Sequence, residues 1–104
     1  MKKAMTPEAL KKLLSTHDDS VVQVIDIRSE EEYQKQHLSF AKNFPAPELE
    51  NAASKTLNKD ATIVCVCNKG HERSQQAAGM LNELGYVNAF YLEGGMLGWL
   101  EKEE

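Results

Sequence analysis

The sequence predicts a three-layer α/β fold with a central, mostly parallel sheet flanked by helices. Two apolar runs rich in β-branched residues, at positions 21–27 and 62–67, are nearly continuous and therefore typical of strands that are covered on both faces. Apolar residues at helical spacing follow the second run over positions 74–84. Strands that alternate with helices favour a parallel sheet covered by helices.

Local signals predict the first two helices. Thr6 can cap a helix that has Pro7 at its first position, where proline costs no hydrogen bond. Ser29 and Glu32 have the three-residue spacing of a capping box, in which each side chain bonds the other residue's backbone N–H. The sequence therefore predicts short helices after Thr6 and after Ser29.

The second half of the chain supplies the remaining elements. Residues 41–44 read as a short strand, and a helical turn is expected over residues 47–53. Residues 89–92 form the last apolar run, and Gly94 and Gly95 lead from it into a terminal helix. We expect the two glycines to let the backbone turn tightly beside the loop that follows the strand at 62–67.

Size and charge limit the classes of function. A chain of 104 residues and 11.7 kDa can bury one core, so we expect a single domain over residues 1–104. The formal net charge is −4, which argues against nucleic acid as a partner because phosphate backbones attract excess lysine and arginine. A small anion can still be bound where local groups oppose the global charge.

Targeting and cysteine patterns predict a cytoplasmic protein. Thr6, Pro7 and Glu8 interrupt the N-terminal segment before any apolar run, so neither a signal peptide nor a membrane span is expected. Cys65 and Cys67 are separated by one residue, which fits neither a disulfide framework nor a zinc site. In a reducing compartment, a catalytic cysteine is the better interpretation, with no metal.

Cys67 lies where the predicted strand ends and the chain turns towards the helix that follows Arg73. Unpaired N–H groups at helix N-termini and in such loops can surround an anion, and the Arg73 guanidinium would add positive charge. Settings of this kind lower the pKa of a cysteine thiol from about 8.5 to roughly 3.5–7.5. The sequence therefore predicts a nucleophilic thiolate at Cys67, near the carboxyl ends of the strands, where α/β sheets bind ligands.

Three segments spread over positions 5–100 resemble the signatures of the rhodanese family. They are Asp26-Ile27-Arg28 with Glu32, Tyr33 and His37; Cys67 with Gly70, Arg73 and Ser74; and residues 91–95 followed by Trp99. The resemblance implies the rhodanese fold and a single-domain sulfurtransferase. In that family the loop cysteine takes sulfur from a donor such as thiosulfate, holds it as a persulfide and passes it to cyanide or a thiol.

Carried onto this chain, the resemblance makes Cys67 the sulfur carrier, with no metal or organic cofactor. The implied partners are a small anionic sulfur donor and a thiol acceptor, either a small thiol or a thioredoxin-like protein. The substrate-binding residues that it implies are Asn68, Lys69, Gly70, His71, Glu72 and Arg73. Within this set, Arg73 and Lys69 would orient the anionic donor by charge-assisted hydrogen bonds.

Four further residues are expected to have structural roles. Asp26 and Arg28 are interpreted as a buried or half-buried ion pair that ties neighbouring loops together, and Ser74 as support for the loop from Cys67 to Arg73, called the active loop below. Cys65 lies two residues before Cys67 and so on the same strand face, which favours a place in the core. A resolving-thiol role for Cys65 stays open.

One departure from the family pattern leaves other functions open. The loop from Cys67 to Arg73 counts seven residues, one more than the usual sulfurtransferase loop, which predicts a wider cradle. It matches the Cys-x5-Arg pattern of cysteine-dependent phosphatases, including the cell-division-cycle dual-specificity phosphatases of the same fold, which also place a glutamate, here Glu72, before the arginine. A phosphatase or an arsenate reductase is therefore the alternative enzyme.

A third hypothesis is a non-catalytic module that carries sulfur or regulates a partner, accepting a persulfide from one protein and passing it to another.

Gly70, three residues after Cys67, occupies the usual sulfurtransferase position. Sulfur transfer therefore remains the preferred hypothesis.

Overall fold

A parallel sheet forms the centre of the protein, as seen in a computed structural model that describes residues 3–17, 21–69 and 72–103. Its strands are β1 (Ala4–Met5), β2 (Val22–Asp26), β3 (Ala41–Asn43), β4 (Thr62–Val66) and β5 (Ala89–Leu92). Within the described ranges they make a five-stranded sheet in the order β1-β5-β4-β2-β3, and each pair of neighbours is parallel. The predicted α/β fold is confirmed.

Helices cover both faces of this sheet. They are α1 (Pro7–Thr16), α2 (Glu30–Lys35), α3 (Leu49–Thr56), α4 (Glu72–Glu83) and α5 (Gly95–Glu103). Leu49 of α3 and Leu81 of α4 are buried in one core, together with Ile25 and Ile63 of the sheet. A second core on the opposite face holds Leu10 of α1, Val64, and Trp99 of α5. The alternate residues of β4 thus fill both cores, which explains why this strand is apolar throughout.

The predicted helix starts are present. The Thr6 hydroxyl accepts a hydrogen bond from the Ala9 N–H at 3.1 Å, and α1 begins at Pro7. At α2 the capping box is complete, because the Ser29 hydroxyl accepts from the Glu32 N–H while the Glu32 carboxylate accepts from the Ser29 N–H, both at 3.2 Å.

One element was not predicted, and two others have a boundary more than one residue from its predicted position. β1 was not predicted, because a two-residue strand carries no periodic signal and forms only through its pairing with β5. The helix after the active loop begins at Glu72 and not at Ser74, so Arg73 lies inside its first turn. The expected turn over residues 47–53 is a short 3-10 helix (Ala46–Glu48) that continues into α3.

The sheet register brings the predicted site residues to one edge. Asp26, the last residue of β2, lies opposite Val66, the last residue of β4, and the Ile27 N–H donates to the Val66 carbonyl at 3.0 Å. Ile27 and Cys67 therefore leave the sheet side by side, and Arg28 and Asn68 follow them at the same edge. None of the helices in the described ranges is long and apolar enough to cross a membrane.

Candidate active site

Cys67 follows the last residue of β4 and is 3% exposed. Its Sγ lies 3.1 Å from the hydroxyl oxygen of Ser74, to which the thiol donates a hydrogen bond. Ser74 is fully buried in the first turn of α4. The sulfur is thus held between the end of a strand and the start of a helix.

Helix α5 anchors the start of the active loop. The N–H of Met96 donates to the Cys67 carbonyl at 2.8 Å, and the N–H of Leu97 donates to the Asn68 carbonyl at 2.9 Å. Gly95 makes this approach possible: its φ is +62°, and a Cβ there would lie 2.5 Å from the Cys67 carbonyl oxygen. The predicted tight turn of Gly94 and Gly95 beside the loop is confirmed.

Asp26 and Arg28 form the buried ion pair that the sequence predicted. The Arg28 Nη2 lies 2.8 Å from Asp26 Oδ2, its Nε lies 3.0 Å from Oδ1, and both side chains are almost fully buried. The Arg28 backbone N–H also donates to Asp26 Oδ1 at 3.0 Å. Two parallel N–H···O contacts make this a bidentate pair, which is the favourable geometry for a buried charge.

The same guanidinium reaches two loops. Its Nη1 donates to the side-chain oxygen of Asn68 at 3.1 Å, and its Nη2 donates to the Gln36 carbonyl. Hydrogen bonding to Asp26 raises the pKa of Arg28, against the effect of burial, and smaller contributions come from negative charge nearby, including that of Cys67. Arg28 therefore stays charged, ties Asn68 in place and lies within electrostatic reach of the sulfur.

Arg73, at the other end of the loop, pairs with a residue whose contact with it was not predicted. Its Nη1 lies 3.1 Å from Glu32 Oε1, and its Nη2 lies 3.5 Å from Oε2. The Arg73 and Glu32 side chains are 47% and 36% exposed. The hydrogen bond from Arg73, followed by that from the Ser29 backbone, lowers the pKa of Glu32 to about 2, so the carboxylate is ionised at neutral pH.

Cys65 has a different environment from Cys67. It is completely buried in the core that also contains Ala78 and Leu81, and both cysteines are free. Burial raises the pKa of the Cys65 thiol far above its ordinary range, and negative charge on Cys67 adds to the effect. The predicted place of Cys65 in the core is confirmed, and its high pKa makes it a poor nucleophile.

The structure describes three of the five remaining predicted substrate-binding residues. Lys69 and Glu72 are exposed, and Asn68 is half-buried. Gly70 and His71 lie outside the described residues. Over the part of the chain that the structure describes, no three His, Cys, Asp or Glu side chains come together as a group that could hold a metal ion.

Sequence reasoning missed two supports of the loop. Glu32 was interpreted as a capping residue and as part of the first segment that resembles the rhodanese signature, and neither interpretation pointed to a contact with Arg73, 41 residues away. The bonds from Met96 and Leu97 use backbone N–H groups and leave no trace in side-chain identity. The glycine pair before them was the available signal.

The arrangement suits nucleophilic chemistry at a single sulfur. A buried cysteine lies at the carboxyl edge of a parallel sheet, beside a buried serine hydroxyl and near a permanently charged guanidinium. Such a cysteine can attack a small substrate that enters through the loop and can hold a group covalently.

Comparison with known proteins agrees with this geometry. The family model described as Rhodanese-like domain matches residues 6–102. A rhodanese-like domain protein of Staphylococcus aureus, known from its crystal structure, superposes with a TM-score of 0.79 at 30% identity, covering 93% of this chain and 90% of that one.

Two relatives have names that refer to sulfur. Thiosulfate sulfurtransferase PspE of Escherichia coli K12 is 38% identical over 65 residues, which cover 62% of this chain and 62% of PspE. YrkF of Bacillus subtilis 168, named as a proposed sulfur carrier protein, is 31% identical over 86 residues, which cover 83% of this chain and 45% of YrkF. The matched segments span less than two thirds of either relative.

Proposed function

Because this chain belongs to the rhodanese-like domain family, we propose that it is a sulfurtransferase in which Cys67 carries the transferred sulfur as a persulfide. The observation that carries the proposal is the position of Cys67, buried at the end of β4 with its sulfur 3.1 Å from Ser74 Oγ and its carbonyl bonded to α5. The names of PspE and YrkF support transfer or carriage of sulfur in general.

The proposed reaction has two displacement steps. The Cys67 thiolate attacks the outer sulfur of thiosulfate, the S–S bond of the donor breaks, and sulfite leaves with the bonding electron pair. A cyanide or thiolate acceptor then attacks the outer sulfur of the Cys67 persulfide. Thiocyanate or an acceptor persulfide is released, and the Cys67 thiolate is restored with no net oxidation of the protein.

The neighbouring residues have distinct roles in this proposal. The Ser74 hydroxyl, which accepts from the Cys67 thiol, can rotate to donate to the thiolate or persulfide. Arg28 adds a fixed positive charge, and the backbone N–H groups of residues 68–73 stabilise the persulfide anion. Lys69 and Arg73, both exposed, meet the anionic donor at the mouth of the loop.

Intact-mass measurement tests the proposal. Incubation with thiosulfate should add one sulfur atom to the wild-type protein and to Cys65→Ala, but not to Cys67→Ser. Cys65→Ala is the matched control because Cys65 lies two residues away in the same core. A wild-type protein without the adduct, or an adduct that persists in Cys67→Ser, would refute the proposal.

The rate of turnover with a small donor and a small acceptor distinguishes an enzyme from a carrier. A thiosulfate sulfurtransferase should turn over many equivalents of thiosulfate and cyanide, whereas a carrier or regulatory module should load slowly from thiosulfate and exchange sulfur rapidly with a partner persulfide. Steady-state thiocyanate production distinguishes them, and we expect the first outcome. The partners in our proposal are a small anionic sulfur donor and a small thiol or thioredoxin-like acceptor.

The seven-residue loop favours a second candidate, a phosphatase or arsenate reductase. A ring of amides with one more residue than the usual sulfurtransferase loop has more room for a tetrahedral oxyanion, and Glu72 precedes Arg73 as in the phosphatases of this fold. This function predicts turnover of an aryl phosphate or arsenate that Cys67→Ser abolishes. If wild-type protein leaves both substrates unchanged, the candidate is eliminated.

We also propose that residues 1–104 act as one domain and that the protein works in the cytoplasm. Cys65 and Cys67 are both free, and the proposed chemistry requires Cys67 as a thiol. A reducing compartment maintains that state.

A further inference from the structure

Glu32 connects the two ends of the active loop. Its Oε2 accepts a hydrogen bond from the side-chain amide of Asn68 at 3.4 Å, at the start of the loop. At the end of the loop, the Arg73 guanidinium donates to both carboxylate oxygens. The Glu32 carboxylate therefore joins Asn68 and Arg73 through hydrogen bonds.

The carboxylate is itself held in place by α2. Glu32 Oε1 accepts from the Ser29 N–H and from the Ser29 hydroxyl, both at 3.2 Å. Asn68, in turn, accepts a hydrogen bond from the buried Arg28. Glu32 is thus fixed on one side by its own helix and connected on the other to the buried ion pair, although its side chain is 36% exposed.

This contact offsets the charge of the cation at the mouth of the loop. Arg73 also lines a surface cleft of about 840 Å³, together with the carboxylates of Glu30, Glu32 and Glu48. A free dianion that approaches Arg73 must compete with the bound carboxylate of Glu32 and meets further negative charge in the cleft. A donor with less negative charge meets less opposition.

We propose that Glu32 is a positioning and specificity-determining residue, which holds Arg73 at the loop and disfavours free dianionic sulfur donors relative to donors of lower charge. The inference rests on the proposed function, because it takes the anion that binds at Arg73 to be a sulfur donor. It concerns Arg73 and anion binding, however, and can be tested without sulfur transfer.

Calorimetric titration of thiosulfate and sulfate into the Cys67→Ser protein provides that test, since no persulfide can form there. Adding Glu32→Gln should tighten binding of both dianions about 2- to 5-fold, because the guanidinium is released from an exposed ion pair. Adding Arg73→Ala to the original background should weaken binding. If the ion pair only supported the fold, Glu32→Gln and Arg73→Ala would not change the affinity for the dianions in opposite directions.

The matched control is Glu31→Gln, an exposed neighbour in the same helix that makes the same change in net charge. Screening at physiological salt should limit its effect to about 1.5-fold or less. Unchanged or weaker binding in Glu32→Gln would overturn the proposal. So would an equal effect of Glu31→Gln, or a gain that persists when Arg73→Ala is added to Glu32→Gln.

In the active protein, Glu32→Gln should lower the KM for thiosulfate and reduce kcat, because the released Arg73 binds the dianion more tightly but is no longer held at the loop. A KM that does not fall would count against the proposal. If the wild type takes up no sulfur from thiosulfate, but Glu32→Gln still tightens and Arg73→Ala still weakens dianion binding, the sulfurtransferase function is refuted and the role of Glu32 stands.

Discussion

Two carboxylate–guanidinium pairs hold the active loop, one at each end, and they differ chiefly in burial. The side chains of Asp26 and Arg28 are 1% and 4% exposed, whereas those of Glu32 and Arg73 are 36% and 47% exposed. Both pairs reach Asn68, through Arg28 on one side and Glu32 on the other. The same chemical contact therefore occurs in two environments within one site.

Burial makes the first ion pair permanent, whereas exposure allows the second to exchange its partners. A buried guanidinium that loses its carboxylate is left desolvated and unpaired, so the pair near Cys67 is fixed for as long as the protein is folded. An exposed pair exchanges its partner with water or a ligand at little cost. The start of the loop can thus fix the position of the sulfur, while the end of the loop can respond to what approaches.

The largest expected effect comes from breaking the buried pair. Asp26→Ala should lower the free energy of unfolding by about 3–5 kcal/mol, because Arg28 remains charged in the core. Urea denaturation measures this loss. The double variant Asp26→Leu/Arg28→Met should lose less than Asp26→Ala alone, since neither charge is left unpaired. A loss below about 1 kcal/mol in Asp26→Ala would show that this pair behaves like an exposed one.

A smaller effect is expected at the backbone contact that anchors the start of the loop. Gly95→Ala places a Cβ 2.5–2.6 Å from backbone atoms of Cys67 and Asn68 at a positive φ. We expect a loss of about 1–3 kcal/mol in stability and sulfur loading slowed about 10- to 100-fold by displacement of the loop.

Gly98→Ala is the control for that substitution, because Gly98 lies in the same helix and its added Cβ would have 3.9 Å to the nearest atom. It should leave loading unchanged and raise stability by up to about 1 kcal/mol. Equal slowing by Gly95→Ala and Gly98→Ala would contradict the anchoring role of Gly95.

The smallest effect concerns the exposed pair and pH. The pKa of Glu32 is lowered from 4.5 to about 2 in the folded protein. Its contribution to stability is therefore present above pH 4.5 and is lost as pH falls towards 2. Because the pair is exposed, that contribution should be no more than about 1 kcal/mol.

Urea denaturation of the wild type and of Arg73→Ala at pH 6 and pH 3 measures this contribution. The difference between the two proteins should be smaller at pH 3. A difference that stays constant or grows on acidification would show that Glu32 does not depend on Arg73 for its low pKa.

The fold was predictable because its signals are local. The apolar run of β4, the Thr6 cap and the Ser29–Glu32 capping box each determine an element without reference to distant residues. β1 was not predictable, since Ala4 and Met5 become a strand only by pairing with Tyr91 and Leu92.

The candidate site was predictable in part. The position of Cys67 after β4 and the Asp26–Arg28 pair follow from strand ends that meet at one edge of a parallel sheet. The contact of Glu32 with Arg73 could not be predicted, because it depends on how α2 is placed relative to α4. Side-chain contacts between surface helices leave no periodic pattern in a single sequence.

The dependence of the loop on α5 also has a consequence for protein synthesis. The carbonyls of Cys67 and Asn68 receive their hydrogen bonds from Met96 and Leu97, which the ribosome adds about 30 residues after the cysteine. At about 5–20 residues per second, that interval is about 1.5–6 s. The loop that begins at Cys67 can therefore reach its folded arrangement only after the residues of α5 have been added.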